Sequence, residues 1–288
     1  MSDIAIMTDS VACIPQELAR QLKIKVVPAA NILVDGKSYI DGETISALEA
    51  YELIKEDPDR FVTSAVQPDY LLHTYEELSQ QSKEILFITI SSALSAVSRT
   101  AELAIQLSKD KLPNVNIKIF DSKACASTQG LVVIAAAKAA AQGKRMDEVI
   151  SLAQRVRDNA SGIMMLDTLR YVYRTGRMSK TASRIASIFN IKPINRITDN
   201  GTLEMVDRTR KTSDGMERLV RIIARDRGDE PLHFMVTHAA AEEYARDLVE
   251  KLQRQFHCLS MIVSDYSPVM GYGAGPGALF IGYHPEIT

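Results

Sequence analysis

The amino-acid sequence predicts an α/β fold in two domains, with a mostly parallel sheet in the N-terminal domain and a mixed sheet in the C-terminal domain. Short apolar runs alternate with amphipathic segments along the whole chain, as strands and helices do in such folds. The chain has 288 residues, and the usual domain size predicts two domains for that length. Hydrophobic residues make up 46% and charged residues 24%, which is typical of a globular protein.

Residues 1–160 are predicted to form the N-terminal domain, because buried strands there are followed by helices. The predicted strands and extended runs are Asp3 to Met7, Lys25 to Val34, Ile85 to Ile90 and Ile117 to Phe120. The predicted helices are Pro15 to Leu22, Ser46 to Lys55, Tyr70 to Ser82, Ala93 to Leu107, Leu131 to Gln142 and Asp147 to Asp158. This order favours an open, mostly parallel sheet.

Residues 161–288 are predicted to form the C-terminal domain, with the boundary near Asn159 to Gly162. The predicted strands are Gly162 to Leu166, His233 to Thr237, Leu259 to Val263 and Gly277 to Tyr283. The predicted helices are Leu169 to Tyr173, Ser213 to Arg227 and Ala241 to Phe256. Asn200-Gly201 lies between two β-like runs, Pro193 to Ile197 and Thr202 to Val206, and predicts a two-residue hairpin.

Charge and cysteine content exclude several classes of function. Lys and Arg number 34 against 36 Asp and Glu, so no overall positive field attracts nucleic acid. Cys13, Cys125 and Cys258 are widely spaced, which argues against a disulfide framework or a zinc site. No signal peptide or membrane span is evident. We therefore expect a cytoplasmic protein with no metal, no cofactor and no nucleic-acid partner.

Two clusters of hydroxyl side chains are the first candidates for a binding site. The clusters are Thr63 with Ser64, and Ser91, Ser92 and Ser95. The second cluster directly follows the strand that ends at Ile90. In open α/β sheets, ligands bind beyond the carboxyl ends of the strands. Such hydroxyls can hold a carboxylate or a phosphate. From the sequence alone the favoured role of these hydroxyls is to cap the helices predicted to begin near Pro68 and Ala93, and the two roles can coexist.

Three further polar residues follow predicted strands and support a rival hypothesis. Asp9 and Asp121 could bind a metal or cap a helix, and capping is the favoured role. His238 is the histidine at a position typical of functional sites. An enzyme acting on a small phosphate or carboxylate compound would use these three residues. A ligand-sensing interaction module is a third alternative.

The glycine-rich segment Gly271 to Gly277 does not fit a dinucleotide-binding loop, because a strand rather than a helix is predicted to follow it. We expect its glycines to let backbone approach a ligand or to turn tightly between strands.

A local stripe of basic residues surrounds Gly176. Its members are Arg170, Arg174, Arg177, Lys180 and Arg184. The stripe is either a solvated helix face or a surface that docks an acidic protein or a phosphate-bearing ligand.

Nine motifs in order give the sequence a family resemblance along essentially its whole length. They are Thr8-Asp9-Ser10, Tyr39-Ile-Asp-Gly42, Thr63-Ser64 with Gln67-Pro68, Ile90-Ser-Ser-Ala-Leu-Ser95, Asp121-Ser122, Leu166-Asp-Thr-Leu169, Gly176-Arg177-Met-Ser179, Asn190-Ile-Lys-Pro-Ile194 and Gly275-Pro-Gly277. Together they resemble the DegV family of bacterial fatty-acid-binding proteins.

The resemblance implies a carrier rather than an enzyme, enclosing one long-chain fatty acid with its tail in an apolar tunnel. It implies that hydroxyls near the domain junction hold the carboxylate. It also implies a partner kinase that makes acyl-phosphate for phospholipid synthesis, and it leaves room for transient membrane contact. The implied carboxylate ligands are Thr63, Ser64, Ser91, Ser92 and Ser95, and the implied docking residues are Arg170, Arg174 and Arg177.

The sequence departs from the family pattern in two places. Ala96-Val97 stands where the family usually has Gly-Thr, and Gly273 stands where many members have a histidine that helps hold the carboxylate. The second change implies a different head group, replacement of the histidine by Tyr272 or His284, or weaker coupling to a kinase. Flexible methionines could line the tunnel or simply fill a core. They are Met164, Met165 and Met270.

Overall fold

The computed structural model describes residues 4–178 and 191–287, and its N-terminal part alternates strands with helices. The strands there are β1 (Ile4–Asp9), β2 (Ile24–Val27), β3 (Ala30–Val34), β4 (Lys37–Ile40), β5 (Phe61–Ala65), β6 (Glu84–Thr89) and β7 (Asn116–Asp121). The helices are α1 (Gln16–Gln21), α2 (Ala47–Glu56), α3 (Pro68–Ser79), α4 (Val97–Ser108), α5 (Ala126–Ala141) and α6 (Met146–Asn159).

The predicted parallel sheet is confirmed, with strand order β2-β1-β6-β7. Its central strand β6 is apolar on both faces, and the residues from Ile85 to Ile88 are all fully buried. A parallel strand covered on both sides requires this continuous run instead of an alternating pattern. The carboxyl ends of β1 and β6 therefore open towards the same edge, where the hydroxyl cluster from Ser91 to Ser95 begins.

A second, three-stranded antiparallel sheet, in the order β4-β3-β5, was not predicted from the sequence. The extended run from Lys25 to Val34 is broken at Pro28, and β3 leaves the parallel sheet to pair with β5. In that pairing Thr63 lies opposite the fully buried Ile32, so the two share a face. Ser64 lies on the other face of β5.

The C-terminal part contains the predicted mixed sheet, with strand order β10-β9-β8-β13-β11-β12. Its strands are β8 (Ser161–Met165), β9 (Lys192–Ile197), β10 (Leu203–Thr209), β11 (Leu232–His238), β12 (Cys258–Asp265) and β13 (Leu279–Pro285). Its helices are α7 (Arg170–Arg174), α8 (Thr212–Arg227), α9 (Glu242–Gln255) and α10 (Pro268–Ala274). β11 and β12 are parallel, and the other neighbouring pairs are antiparallel.

The predicted hairpin at Asn200-Gly201 forms between β9 and β10, but its loop is longer than two residues. Thr198 N donates to Thr202 O at 2.9 Å, and Gly201 N donates to Thr198 O at 2.8 Å. These bonds close a loop over residues 199–201. Gly201 has a φ of 74°, which glycine adopts without strain and which the last position of a three-residue hairpin loop requires.

Helix α5 joins the parallel sheet to the mixed sheet. It is buried on nearly all sides because its alanines and its glycine let both sheets approach closely. Ser127 Oγ lies 2.8 Å from Thr237 Oγ1, and a side chain at Gly282 would meet the α5 backbone at 2.6 Å. The two N-terminal sheets use residues 4–121, and the mixed sheet uses residues 161–285. The predicted domain boundary near Asn159 to Gly162 lies where β8 begins and stays a prediction.

No helix within residues 4–178 and 191–287 is both long and apolar enough to cross a membrane. Cys13, Cys125 and Cys258 are all free thiols.

Candidate functional site

A cavity of about 190 Å³ lies among the three sheets. One buried water needs only about 10–15 Å³, so the cavity is large enough for a ligand. Its wall is mainly apolar and is drawn from both halves of the chain. Ala30 and Ile90 contribute from the N-terminal part, and Met164, Leu166 and Tyr272 contribute from the C-terminal part.

The polar side chains in this wall carry hydroxyl groups or a guanidinium. They are Thr63, Ser64, Ser95, Thr175 and Arg177. Within the described part of the chain, no carboxylate and no lysine lines the cavity. Arg177 is exposed and supplies the positive charge, so the wall favours a largely apolar ligand with a neutral or negative polar end.

The cavity reaches the surface beside the N-terminus of α4. A surface cleft of about 470 Å³ borders the cavity there, and Leu94, Ser95, Ala96 and Arg177 line both. Arg177 is held across this mouth, because its Nε donates to Leu94 O at 3.4 Å and its Nη1 donates to Thr175 O. A polar group bound at Ser95 would therefore lie where the cavity meets the surface.

Three of the five predicted hydroxyl residues line the cavity, and two do not. Thr63, Ser64 and Ser95 line it, although Ser64 is on the exposed face of β5. Ser91 is buried, and its hydroxyl donates to Gly201 O of the hairpin at 2.8 Å. Ser92 donates to Asp121 Oδ2 at 2.6 Å. The structure thus removes Ser91 and Ser92 from the cavity wall, since both hydroxyls already bond within the protein.

The capping alternative holds for one hydroxyl of these clusters, because Ser91 Oγ accepts from Ala93 N at 3.2 Å in the turn before α4. Helix α3 begins after Gln67 and helix α4 after Ala96, and neither residue forms a side-chain cap. Thr63 is in a strand instead of the turn before α3. Asp9 does act as a cap, as expected, because it accepts from Val11 N at the start of a short 3₁₀ turn.

Tyr272 and His284, the suggested replacements for the absent histidine, lie in different places. Tyr272 lines the cavity and stacks on Phe61 with ring centroids 5.9 Å apart. His284 is in β13, away from the cavity wall, and its ring centre lies 4.8 Å from that of His233. Burial lowers the pKa of His284 to about 4. His284 is therefore not a replacement, and Tyr272 is positioned to be one.

Gly273 itself lines the cavity, and a Cβ placed there would meet no atom within 4 Å. The other glycines of this segment match the expectation of a tight turn only in part. Residues 268–274 form the helix α10, and Gly275 and Gly277, with φ of 83° and 86°, lie in the turn that leads from α10 into β13. A Cβ at Gly271 would lie 2.1 Å from the Tyr51 ring, and one at Gly275 would lie 2.0 Å from the Tyr171 ring. These two glycines admit aromatic side chains instead of a ligand.

The basic stripe is partly neutralised within the protein. Asp59 lies 3.3 Å from Arg174 and 4.0 Å from Arg170. The Arg174 guanidinium also lies over the Tyr272 ring at 4.7 Å, so this residue packs against the cavity wall. Arg177 remains exposed. Lys180 and Arg184 lie outside the described residues.

The methionines of β8 point in opposite directions. Met164 and Met270 line the cavity, as expected for a tunnel. Met165 lies on the other face of β8, in the core with Ile163 and Ile194. The period of two along a strand separates Met164 from Met165.

Two buried carboxyl groups, those of Asp9 and Asp41, support the cavity wall. The sequence did not indicate that either residue contacts this wall. Asp9 accepts from Ile90 N at 2.7 Å and from Val11 N at 3.1 Å. Asp41 accepts from the Ser10 hydroxyl and from Val269 N at 3.0 Å. The residues that donate these three backbone bonds all line the cavity. Burial raises the pKa of both carboxyl groups to about 6. Asp9 and Asp41 each belong to one of the nine family motifs, and this membership was the sequence signal that could have identified them.

Residues 4–178 and 191–287 contain no group of three or more His, Cys, Asp or Glu side chains that could hold a metal ion. Asp121 accepts from Ser92 and from Lys123 N at 2.8 Å, so it organises a turn. The carboxylate beside His238 is that of Asp265, whose Oδ1 lies 3.3 Å from Nδ1 without forming a hydrogen bond.

The three sheets and the mainly apolar cavity among them define an α/β protein with an internal binding-sized cavity. The chain belongs to the DegV family, whose model, described as an uncharacterised protein of that family, matches residues 3–286. A DegV domain-containing protein of Caldanaerobacter subterraneus subsp. tengcongensis is 31% identical over 96% of this chain and 97% of its own length. One from Listeria monocytogenes is 28% identical over 96% of both chains.

Solved structures show the same fold. DegV from Bacillus subtilis, described as a fatty acid binding protein, has a TM-score of 0.86 at 25% identity and covers 99% of this chain and 100% of its own. A DegV family protein from Thermus thermophilus, described by its fatty acid binding, has a TM-score of 0.88 at 24% identity with the same coverage. The family resemblance and the α/β fold predicted from the sequence are confirmed.

Proposed function

We propose that the cavity binds one long-chain fatty acid. The observation that carries this proposal is the wall itself, which is apolar except for hydroxyls and one arginine and contains no carboxylate among the described residues. The Bacillus subtilis relative, described as a fatty acid binding protein, supports the same ligand class. This role is binding rather than catalysis.

In this proposal the fatty-acid carboxylate lies near the mouth, against the hydroxyls of Thr63 and Ser95. Arg177 contributes positive charge at the same opening. The tail lies among the apolar residues of the wall. Burial of each CH₂ group contributes about 0.8 kcal/mol, so the tail supplies most of the affinity. The hydroxyls orient the head group, because a hydrogen bond to a charged group contributes about 1.5–3 kcal/mol.

The position of the carboxylate at the mouth supports a second, finer part of the proposal. A head group bound beside Ser95 and Arg177 is close to the surface and can be presented to a partner enzyme. We propose that this partner is a kinase that forms acyl-phosphate from the bound fatty acid. Exposed Arg177 and half-exposed Arg170 would contact the partner, whereas Arg174 packs on Tyr272.

The first test identifies the ligand. Protein purified under native conditions is extracted with organic solvent and analysed by mass spectrometry, and delipidated protein is then titrated with oleate. We expect one fatty acid per chain and saturable uptake. The proposal would be contradicted if no acyl lipid were extracted and the delipidated protein took up no oleate.

The second test locates the carboxylate. Thr63→Ala and Ser95→Ala should each weaken oleate binding by about 10- to 150-fold, the equivalent of one hydrogen bond to a charged group. Ser92→Ala is the matched control, because that hydroxyl bonds Asp121 and should leave affinity unchanged. Equal affinity for all three variants would remove Thr63 and Ser95 from the head-group site.

A further inference from the structure

A second concave site, separate from the cavity, lies on the other side of Tyr51. This acidic cleft has a volume of about 530 Å³ and is lined by α2, by the loop after β11 with the start of α9, and by the end of β12. It lies at the carboxyl ends of β11 and β12, two parallel strands joined by α9. Ligands of α/β sheets commonly bind at this end of the strands.

His238 is an unsatisfied polar group in the wall of this cleft. The residue is only 6% exposed, and its Nδ1 is buried without a hydrogen-bond partner. Asp265 Oδ1 lies 3.3 Å from Nδ1, but the two atoms do not have hydrogen-bond geometry. A buried polar atom without a partner is costly, so a bound ligand that supplies a donor would be favoured.

The charge of the cleft selects the sign of such a ligand. Glu242, Glu243 and Asp265 line it, and within the described chain no lysine or arginine does. Arg246 pairs with Glu242 at 3.2 Å from outside the cleft, which leaves Glu243 and Asp265 to set the local potential. An anion would be repelled by these carboxylates, whereas a cation would be attracted.

The apolar part of the wall indicates an organic cation. Tyr244 and Leu48 are exposed to 45% and 65%, and the buried Tyr51 completes the wall. An aromatic face and an aliphatic side chain suit the carbon chain and the charge of an alkylammonium group. The described residues hold no cluster with the three or more ligands of a metal site.

We propose that the acidic cleft binds the primary ammonium group of a small organic amine. The Asp265 side chain is exposed, so its carboxylate can turn away from the buried Nδ1 and admit the ammonium. The ammonium has three N–H donors and can then donate to His238 Nδ1 and to the Asp265 carboxylate at the same time. Its carbon chain lies against Tyr244 and Leu48. The site has a lining of its own, since none of these four residues lines the fatty-acid cavity.

The probe is cadaverine, a linear diamine, added to the full-length protein. The ring nitrogen signals of His238 are followed by NMR, and affinity is measured by calorimetry. We expect the His238 signals to shift on titration and the affinity to fall as salt screens the carboxylates. Tetramethylammonium, which has the charge but no N–H donor, should bind more weakly and leave the Nδ1 signal in place.

Asp265→Asn and His238→Gln should each weaken cadaverine binding by about tenfold or more, the usual effect of losing a hydrogen bond to a charged group. Asp265 has an exposed side chain, so its variant tests the site even where the buried His238 variant fails to fold. His233→Gln is the control on the same strand, because His233 bonds Ser260 away from the cleft.

Several outcomes would overturn the proposal. They are an unchanged His238 signal, equal affinity of the Asp265→Asn variant, and binding of tetramethylammonium as tight as that of cadaverine. Displacement of cadaverine by low concentrations of Mn²⁺ would show a metal site in its place.

Discussion

The cavity that we propose for a fatty acid and the acidic cleft are neighbours with opposite polar linings. The cavity has hydroxyls and Arg177 and, among its described wall residues, no carboxylate, whereas the cleft has three carboxylates and His238. Both have aromatic and aliphatic walls. The difference teaches that, in two sites with similar apolar walls, the polar residues are what set the expected charge of a ligand.

The two sites share a structural wall. Tyr51 lines the cleft and packs against Gly271 of α10, and the other face of α10 lines the cavity through Tyr272 and Gly273. Variants in one site therefore need to be measured in both.

The largest expected effect comes from filling the cavity. Gly273→Phe would place a ring in space where a Cβ meets no atom, so the fold should tolerate it. If the ring displaces about four CH₂ groups of the tail, oleate loses about 3 kcal/mol, or more than about 100-fold in affinity. Calorimetry with oleate checks the loss, and cadaverine binding at the cleft should be unchanged.

Gly273→Ala is the matched variant, because it adds one methyl group and leaves most of the cavity free. Oleate affinity of the alanine variant should stay close to that of the parent. Full oleate affinity in the phenylalanine variant would show that the tail does not occupy this space.

The next effect concerns the pH dependence of stability beneath the cavity wall. The folded pKa of Asp41 is raised from 3.8 to about 6, so the folded state binds this proton more tightly than the unfolded state. Asp41 therefore adds up to about 3 kcal/mol to the free energy of unfolding as the pH falls from 7 to 4. His284 opposes this change, because its folded pKa is lowered from 6.5 to about 4 and the unfolded state therefore takes up this proton first as the pH falls.

Asp41→Asn removes the contribution of one carboxyl group and keeps an acceptor for Val269 N. Urea unfolding between pH 7 and pH 4 should show that the parent gains stability relative to this variant as the pH falls. Parallel curves for the two proteins would contradict a raised pKa at Asp41.

A smaller effect is expected in the shared wall. The Tyr51 hydroxyl donates to Tyr266 O, and both residues are buried. Tyr51→Phe should lower the free energy of unfolding by about 1 kcal/mol, the usual net contribution of one hydrogen bond. Urea unfolding measures the change. A destabilisation with unaltered oleate and cadaverine affinities would show that the wall supports both sites without selecting either ligand.

The smallest effect on binding is expected at the mouth of the cavity. Arg177 is exposed, so Arg177→Ala should reduce oleate affinity by less than about fivefold. Turnover by the proposed partner kinase should fall more, because Arg177 faces the surface beside the proposed head-group site. Arg254→Ala, on the outer face of α9, is the control. Equal kinase turnover for both variants would remove Arg177 from the docking surface.

Much of the fold could be predicted because its signals are local. The run from Ile85 to Ile90 and the alanine-rich segment before Gln142 read directly as a buried strand and a buried helix. The small antiparallel sheet could not be predicted, because β5 is short and its polar Thr63 and Ser64 resemble a loop. Its partner β3 lies more than two dozen residues earlier in the chain.

The sequence predicted which residue types form the candidate site, but it did not predict which of these side chains point into the cavity. Ser91, Ser92 and Ser95 are chemically alike, and their position after β6 made each a candidate. The Ser91 hydroxyl donates to a carbonyl 110 positions away in the chain, and the Ser92 hydroxyl donates to Asp121, so neither serine lines the cavity. His284 was chosen for its side chain alone, and the register of β13 places it beside His233.

The sequence by itself determined the order of strands and helices, the DegV family and the supply of hydroxyl, basic and apolar residues. These properties depend on local periodicity and on motifs that are contiguous in the chain. Only the tertiary structure decided which side chains share a cavity, that Asp41 supports α10 from 228 positions away, and that His238 meets Asp265 in a separate cleft. Such contacts arise from packing between distant segments, for which no local pattern in the sequence exists.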